Sequence, residues 1–223
     1  METKRRILPG ATRRLFYLGL VCAALCSCSL FQSHISPRHM AKIEAPPLPA
    51  PPECELPYCA VDLDFPLSLV TSPRIYVLKE QRRLWLVDNK TLVRDYHIGL
   101  GTCPKGDKFF RGDGRTPEGA YFVCSKNASS QYYKSLGINY PSQRNAESAL
   151  SWGTISFTEY YSIKQANDAM RLPPSNTALG GQVMIHGGGC STDWTLGCIA
   201  LQNSAMDELF DTVPIGTPVY IMP

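Results

Sequence analysis

A cluster of prolines sets the upstream limit of any folded unit in this chain of 223 residues. Six of the 18 prolines fall within twelve residues: Pro46, Pro47, Pro49, Pro51, Pro52 and Pro57. Proline lacks a backbone N–H and fixes φ, so such a stretch is incompatible with helix or sheet and favours extended polyproline II. We therefore predict a Pro-rich tether over residues 28–72. Residues 73–223 are then predicted to form one folded domain, which is long enough for a single hydrophobic core.

The residues before the tether have the pattern of an export signal. Residues 3–14 are rich in Lys and Arg, and residues 15–25 are apolar. A basic segment followed by a short apolar one is typical of a bacterial secretion signal, and this apolar run is too short to span a bilayer comfortably. We predict a lipoprotein signal peptide over residues 1–27. An ordinary cleaved signal and an uncleaved anchor remain as alternatives.

The end of this signal resembles a lipobox. Residues 25–28 read Leu-Cys-Ser-Cys, with Leu three positions before Cys28 and a small residue directly before it. Cys28 is therefore the predicted site of lipidation and the predicted membrane anchor. The next residue is Ser29 rather than the Asp that usually retains lipoproteins in the inner membrane. We expect an exported protein on the periplasmic face of the outer membrane, or otherwise in the periplasm or cell envelope.

Composition and charge exclude two classes of protein. Hydrophobic residues make up 44% and charged residues 18% of the chain, which is typical of a globular protein and excludes wholesale disorder. The net charge of +3 comes from the leader, because five basic residues lie within the first fourteen. The remainder holds 17 Lys and Arg against 18 Asp and Glu. A nucleic-acid partner is not expected, since such proteins usually present a basic face.

The pattern of the folded unit predicts short strands and few helices. Apolar or alternating runs predict strands at residues 74–79, 83–87, 92–98, 119–123, 183–185 and 219–222. Helical spacing predicts helices at residues 204–212 and 163–170. Residues 124–182 are weakly patterned, and we expect loops there. The predicted class is a mainly β domain, a sandwich or a barrel, with a few short helices.

One stretch combines a histidine and a cysteine with several glycines. His186 follows a predicted buried strand, and Cys198 follows Gly197 twelve residues after His186. A thiol needs a base to become a nucleophile at neutral pH, and nearby glycines let a substrate approach the backbone closely. Three other interpretations stay open at this point. In the first, Cys190 and Cys198 form a disulfide, and in the second, His186 is a core residue. In the third, the histidine and cysteine side chains bind zinc.

The chain resembles the YkuD-type L,D-transpeptidase catalytic domain of bacterial cell-wall enzymes. Three ordered motifs carry this resemblance, which spans residues 74–223. The first is His-Gly at residues 186–187 followed by Thr-Leu-Gly-Cys at residues 195–198. The second is Thr-Pro-Glu-Gly-Ala-Tyr at residues 116–121, and the third is the ending at residues 213–221.

The resemblance implies roles for the residues of the first motif. Cys198 would be the nucleophile that attacks the carbonyl of the diaminopimelate residue in a peptidoglycan stem peptide. His186 would be the general base and acid. Gly188 and Thr195 are the candidates for orienting its ring. The backbone amides of Cys198 and Gly197 would stabilise the oxyanion.

Two residues outside this motif are expected to bind substrate. Arg115 lies in a Gly-rich turn beside the second motif and would bind a substrate carboxylate in bidentate fashion. Tyr140 precedes Pro141 and is expected to line the cleft. The resemblance implies no cofactor and no metal. The expected partners are peptidoglycan stem peptides, and a wall-attached lipoprotein in addition if the chain acts on one.

Departures from the family pattern leave the reaction open. Ala200 stands where most members carry Arg, and the loop between His186 and Cys198 is short. Both features resemble a YafK-like subgroup, as does Gly-Asp-Gly-Arg-Thr-Pro-Glu-Gly at residues 112–119. We expect L,D-transpeptidation, giving a 3–3 crosslink or attachment of a protein. The alternatives are hydrolysis that releases a wall-linked lipoprotein, and a non-catalytic wall-binding lipoprotein.

The remaining cysteines allow local disulfides in an oxidising compartment. Cys103–Cys124 and Cys54–Cys59 are plausible pairs. If Cys198 is free, the five other cysteines after Cys28 include at least one that is unpaired.

Lipidation of Cys28 is directly testable. Cells expressing the full chain should incorporate a palmitate analogue into the protein, and Cys28→Ala should abolish the label because no other cysteine occupies the lipidated position. Cys26→Ala is the matched control and should keep the label. Equal labelling of wild type and Cys28→Ala would contradict the assignment.

Overall fold

The computed structural model of the protein describes residues 60–223, which form nine strands and three α-helices. The strands are β1 (Ala60–Val61), β2 (Pro73–Leu78), β3 (Arg83–Asp88), β4 (Thr91–His97), β5 (Gly119–Ser130), β6 (Tyr133–Ile138), β7 (Met184–His186), β8 (Ile199–Ala200) and β9 (Pro218–Met222). The helices are α1 (Gln143–Ser151), α2 (Phe157–Asp168) and α3 (Asn203–Thr212). The strands form one sheet in the order β1-β4-β3-β2-β9-β5-β6-β7-β8. The prediction of a mainly β domain with a few short helices is confirmed.

Strands β2, β3 and β4 form an antiparallel meander, as the two predicted strands and the short turn between them indicate. The last strand, β9, inserts beside β2 in parallel orientation and pairs with β5 on its other side. The end of the chain therefore lies in the centre of the sheet. This position explains why residues 218–222 alternate between buried and partly buried side chains.

Strand β5 connects β9 to the edge of the sheet that holds His186 and Cys198. Its residues 119–122 pair with β9, and from residue 123 onward it pairs with β6. The ladder between β5 and β6 shifts register twice, which bends and twists a strand pair. Beyond β6, β7 pairs antiparallel and β8 pairs parallel to β7. The two shortest strands of this end, β7 and β8, thus depend on β5 and β6 for their position.

The main core lies between the sheet and α3. Met206 and Leu209 of α3 are fully buried against apolar side chains of the sheet, which include Ile75, Val77, Leu84, Leu86, Val93, Leu136, Ile185 and Ile221. Burial of each such side chain contributes about 1.5–3 kcal/mol relative to exposure. A smaller cluster joins α1 and α2 through Ala146, Ala149 and Ile163.

Several elements lie where the sequence predicted loops. α1 buries only small side chains, Ala146 and Ala149, so its sequence shows no stripe of large apolar residues. Gly137 interrupts the apolar pattern of β6. The glycine lets β6 pack closely against β5, because a Cβ at this position would lie 2.2 Å from Ser125 Oγ. α2 begins at Phe157, earlier than predicted, because Ser156 caps its first turn.

The folded unit extends upstream of the predicted boundary at residue 73. β1 pairs with β4, and Arg94 donates hydrogen bonds to the carbonyl oxygens of Leu63 (2.7 Å) and Phe65 (3.1 Å). Phe65 and Leu67 also pack against the core. Among residues 60–223, no helix is both long and apolar enough to cross a membrane. The predicted signal peptide, Cys28 and the tether up to residue 59 lie outside the described residues.

The four cysteines of the described region are free. They are Cys103, Cys124, Cys190 and Cys198. The plausible Cys103–Cys124 pair is not formed, because Cys103 is exposed whereas the Cys124 thiol is buried and donates to Gly137 O at 3.4 Å. Burial raises the pKa of the Cys124 thiol to about 11. Cys54 and Cys59 lie outside the described residues.

A buried lysine fixes the long loop between β4 and β5. Lys79 is 2% exposed, and its Nζ donates to Gly106 O (2.7 Å), Thr116 O (2.9 Å) and Glu118 Oε1 (2.7 Å). All three N–H groups of the ammonium therefore have protein acceptors. The loop that carries the second sequence motif is thereby fixed to the end of β2.

Replacing Lys79 with Met should lower the free energy of unfolding by about 3 kcal/mol, because Glu118 would lose its cation in a mostly buried position. Lys164→Met is the matched control, since Lys164 pairs with Asp168 on the exposed face of α2. Such an exposed pair contributes at most about 0.5 kcal/mol. Denaturant unfolding measures both losses, and equal losses would contradict the role of Lys79.

Candidate active site

The predicted catalytic His and Cys lie at the ends of two neighbouring strands. His186 is the last residue of β7, and Cys198 directly precedes β8. The parallel register pairs Ile185 with Ile199, and the backbone N–H of Met184 donates to Cys198 Sγ at 3.4 Å. Strand pairing therefore brings two residues that are twelve apart in sequence to one edge of the sheet. Both side chains line the same cavity.

Two hydroxyl groups hold the backbone carbonyl of Cys198. Thr195 Oγ1 donates to Cys198 O at 2.8 Å, and Thr116 Oγ1 lies 3.5 Å from the same oxygen. Thr195 Oγ1 also accepts a hydrogen bond from Gly197 N at 3.1 Å. Both threonines are buried, so these bonds are shielded from water. The network fixes the turn that presents the thiol.

Gly197 allows this turn to pack closely against the loop before β5. Its φ is +133°, and a Cβ here would lie 2.6 Å from the carbonyl oxygen of Arg115. No other residue fits this position without displacing backbone. The Gly-Asp-Gly-Arg segment of the sequence analysis thus lies directly against the residue that precedes Cys198.

The imidazole of His186 is oriented by its own neighbour in the chain. His186 Nδ1 lies 2.6 Å from Gly187 O, so Nδ1 carries the proton and Nε2 is left as the acceptor. The sequence analysis expected Gly188 or Thr195 in this role, and the structure differs. Gly188 N donates to Asn203 Oδ1 at 2.8 Å, and the Thr195 hydroxyl bonds to Cys198 O.

Two aromatic rings enclose the imidazole, and the sequence analysis missed both. Tyr132 stacks on His186 with ring centroids 4.9 Å apart, and Trp194 contacts it edge-on at 5.5 Å. Trp194 Nε1 donates to Gly189 O at 3.1 Å, which fixes the indole. Tyr132 comes from the tight turn between β5 and β6, far from His186 in sequence. The rings restrict the imidazole to one orientation.

The cavity in front of Cys198 has a volume of about 580 Å³. Its wall contains small residues, Gly180, Gly181 and Gly112, and the aromatic Tyr132 and Trp194. It also contains two cations, Lys108 and Arg111, and no acidic side chain among the described residues. The space and the charge suit an extended, anionic ligand.

Burial sets the protonation state of both groups before substrate binds. Desolvation lowers the pKa of His186, an effect that the bond to Gly187 O partly offsets. Desolvation raises the pKa of Cys198, against smaller opposite effects of the Met184 N–H and the Lys108 charge. Both shifts favour a neutral imidazole and a neutral thiol at neutral pH.

The two amides predicted to stabilise an oxyanion differ in their availability. Gly197 N–H is already bonded to Thr195 Oγ1 at 3.1 Å. Cys198 N–H has no acceptor among residues 60–223. The Cys198 amide is thus the donor that remains available for a developing negative charge.

The two predicted substrate-binding residues do not face the cavity. Tyr140 is fully buried, and its hydroxyl donates to Leu179 O at 3.3 Å. It fills the core beside Tyr121, with ring centroids 6.2 Å apart. Arg115 is partly buried, and its guanidinium donates to Asp107 O at 3.3 Å instead of lining the cavity. Its backbone carbonyl, rather than its charge, contacts the active-site turn.

The zinc interpretation finds no support in the described region. Residues 60–223 contain no group of three or more His, Cys, Asp or Glu side chains that could hold a metal ion. His97 lies exposed at the end of β4, and His186 already uses Nδ1 for Gly187 O. The geometry matches nucleophilic chemistry by a cysteine with a histidine base.

Three solved structures illustrate the similarity of fold. An L,D-transpeptidase from Xylanimonas cellulosilytica is 18% identical, with 68% of this chain and 61% of that chain covered and a TM-score of 0.39. Bd1075 from Bdellovibrio bacteriovorus is 20% identical, with 75% and 53% covered and a TM-score of 0.43. A mutant of the helical cell shape determining protein Pgp2 from Campylobacter jejuni is 21% identical, with 68% and 48% covered and a TM-score of 0.44. The chain thus spans less than two thirds of each of these proteins.

Comparison with protein families gives a match over most of the described region. No curated protein matches the chain. The model of the YkuD family, described as an L,D-transpeptidase catalytic domain, matches residues 72–221. This range contains every strand except β1 and the end of β9, together with the cavity and the Cys–His pair. The chain belongs to the YkuD family of L,D-transpeptidase catalytic domains, which act on peptidoglycan stem peptides of the cell wall.

Proposed function

We propose that this chain is an L,D-transpeptidase in which Cys198 forms a thioester with the diaminopimelate carbonyl of a stem peptide and transfers it to an amine. The observation that carries the proposal is that Cys198 lines one cavity together with His186, whose Nδ1 is bonded to Gly187 O and whose Nε2 is therefore left as the acceptor. The product is a 3–3 crosslink or a protein attached to the wall, depending on the amine.

The first half-reaction uses the neutral pair. The Cys198 thiol proton passes to His186 Nε2 while sulfur attacks the carbonyl carbon, and the carbonyl oxygen becomes an oxyanion beside Cys198 N–H. The C–N bond then breaks, and the leaving amine takes the proton from Nε2. One oxyanion donor typically lowers the barrier by about 3 kcal/mol. The result is a thioester and a neutral imidazole.

The second half-reaction runs in reverse with a new nucleophile. An acceptor amine attacks the thioester and gives its proton to His186 Nε2. The C–S bond breaks, and the thiolate of Cys198 recovers the proton from the imidazolium. A new amide is formed and the enzyme returns to its starting state. Water in place of the amine gives a carboxylic acid, which is hydrolysis.

Hydrolysis is the second candidate, and Ala200 favours it. Ala200 is fully buried beside Gly99 and opposite His186 in the sheet, so this position offers no cation to hold an acceptor. Membership of the YafK-like subgroup is part of this second proposal. Its substrate would be a lipoprotein linked to peptidoglycan. A non-catalytic wall-binding role is the third candidate, and a reactive Cys198 would argue against it.

The cellular setting is also a proposal. The basic and apolar leader and the lipobox-like residues 25–28 support export and a lipid anchor on Cys28. On this proposal the protein acts at the periplasmic face of the outer membrane. The Pro-rich residues that follow would space the domain from the membrane towards the wall.

Cys198→Ala should abolish product formation, and the wild type should gain the mass of an acyl group on the peptide that contains Cys198. The reason is that no other described thiol lines the cavity. Cys190→Ala is the matched control, since Cys190 is buried elsewhere, and it should retain activity. His186→Gln should lower the rate by about 10²–10⁴. The wild type is incubated with disaccharide-tetrapeptide and the products are read by mass spectrometry. Acyl transfer in Cys198→Ala, or its loss in Cys190→Ala, would contradict the assignment.

Competition between two substrates separates transfer from hydrolysis. The full chain is given tetrapeptide-containing muropeptides and, separately, a muropeptide–lipoprotein conjugate. The proposal predicts a crosslinked dimer and an intact conjugate. Cleavage of the conjugate without dimer formation would replace transfer by hydrolysis. A carbapenem that fails to acylate Cys198 would instead favour the non-catalytic alternative.

The pH dependence of kcat/KM follows from the neutral pair. Protonation of His186 removes the base, and because its pKa lies below the ordinary 6.5, the rate should fall only below that pH. Loss of the thiol proton leaves the imidazole without a proton to give the leaving amine. Because the pKa of Cys198 lies above the ordinary 9.0, the alkaline fall should begin above that pH. The acid limb should disappear in His186→Gln. A value of kcat/KM that already falls as the pH is raised through 7.5 would indicate a thiolate–imidazolium pair and contradict this prediction.

A further inference from the structure

Two buried lysines bond to groups of the loop between β4 and β5, to which Lys108 itself belongs, and they differ in how their hydrogen bonds are satisfied. Lys79 Nζ has three protein acceptors, as described above. Lys108 Nζ has two, Asp113 Oδ1 at 2.6 Å and Phe110 O at 3.2 Å. An ammonium group has three N–H donors. Among residues 60–223, one N–H of Lys108 is therefore left without an acceptor.

The incompletely bonded ammonium lies next to the nucleophile. Lys108 is only 5% exposed, yet its side chain lines the cavity together with Gly197 and Cys198. Its Nζ lies 3.6 Å from the position that a Cβ on Gly197 would occupy. A buried donor without a partner costs free energy unless a ligand or water bonds to it. The cavity is the side from which such a ligand can approach.

The charge around Lys108 suits an anion. Its partner Asp113 does not line the cavity. The Asp113 carboxylate also accepts hydrogen bonds from the backbone N–H groups of Phe109 (2.8 Å), Phe110 (3.2 Å) and Arg115 (3.0 Å). Three backbone N–H groups besides Lys108 thus satisfy this carboxylate, so it does not depend on the third N–H of the ammonium. Arg111 is the second cation in the wall, and no acidic side chain of the described region lines it.

We propose that the Lys108 ammonium binds the C-terminal carboxylate of the stem tetrapeptide. This carboxylate belongs to the residue that directly follows the carbonyl that Cys198 attacks. This inference rests on the proposed function. Consecutive Cα atoms are about 3.8 Å apart, so that carboxylate lies within one residue of the scissile carbonyl and within reach of a cation beside Gly197. Lys108 then selects donors that end with a free carboxylate at this position. A stem that is amidated or one residue longer lacks the anion there.

A binding experiment tests the proposal without turnover. The full chain carrying Cys198→Ala is titrated calorimetrically with disaccharide-tetrapeptide and with the same ligand as its C-terminal carboxamide. A charge-assisted hydrogen bond predicts that this parent binds the acid about 10- to 100-fold more tightly than the amide. Adding Lys108→Met should remove the preference, so that both ligands bind with the affinity of the amide. Asp113→Asn is the matched control, because it breaks the same ion pair but keeps the cation, and it should retain the preference.

Three outcomes would overturn the proposal. In the first, the parent binds the acid and the amide equally; this comparison needs no Lys108 variant, so it stays informative even if Lys108→Met fails to fold. In the second, Lys108→Met lowers the affinity for both ligands by the same factor, as the loss of a purely structural lysine would. In the third, Arg111→Gln removes the preference for the acid while Lys108→Met keeps it. Thioester formation on wild-type Cys198 is read separately, so a chain that binds the acid through Lys108 but forms no thioester refutes the proposed function alone.

Discussion

The parallel pairing of β7 with β8 determines what chemistry this domain can perform, because it sets where His186 and Cys198 lie. The two strands have three and two residues and depend on other segments for their position. Gly99 and Ala200 exchange backbone hydrogen bonds of 2.9 and 2.8 Å, which adds a neighbour on the open side of β8. A Cβ on Gly99 would lie 2.5 Å from the carbonyl oxygen of Thr192, so this bridge also requires glycine. The long β5 and its partner β6 support β7 from the other side.

Burial of this pair explains why its resting state is neutral. A permanent thiolate and imidazolium at these largely desolvated positions would carry a desolvation penalty of several kcal/mol per ion. The raised pKa of Cys198 favours a proton on sulfur instead, and Gly187 O, Tyr132 and Trp194 fix the imidazole. On the proposed function, the imidazole would accept the thiol proton when the carbonyl carbon is in place. The charge that develops on the substrate oxygen would then meet a backbone donor, the Cys198 N–H.

The sheet meander was predictable from the sequence because short-range patterns encode it, whereas the roles expected for His186 and Cys198 came from the resemblance of their motif to the YkuD family. Strands β2, β3 and β4 alternate clearly, and the glycines around His186 and Cys198 mark backbone that must approach closely. Side-chain burial was not readable in the same way. Tyr140 was expected in the cleft and is a core residue, since a Tyr before a Pro has the same local pattern in either place. Arg115 contributes its carbonyl rather than its guanidinium.

The residues that the sequence analysis missed depend on contacts between distant segments. Tyr132 reaches His186 only because a hairpin places its turn over the site. Lys108 carries no local signal for burial, since lysine is almost always exposed unless it is paired. α1 remained hidden because alanines form its buried face. These positions become recognisable only when β5, β6 and the loop before β5 are assembled around the cavity.

The central claim is that His186 rests as a neutral imidazole with its proton on Nδ1 and its lone pair on Nε2. Long-range ¹H–¹⁵N correlation spectra of the imidazole nitrogens at neutral pH measure this state directly, with His186→Gln to assign the signals. The account predicts one protonated nitrogen, Nδ1, and one unprotonated nitrogen, Nε2. Two protonated nitrogens, or a proton on Nε2 alone, would contradict it.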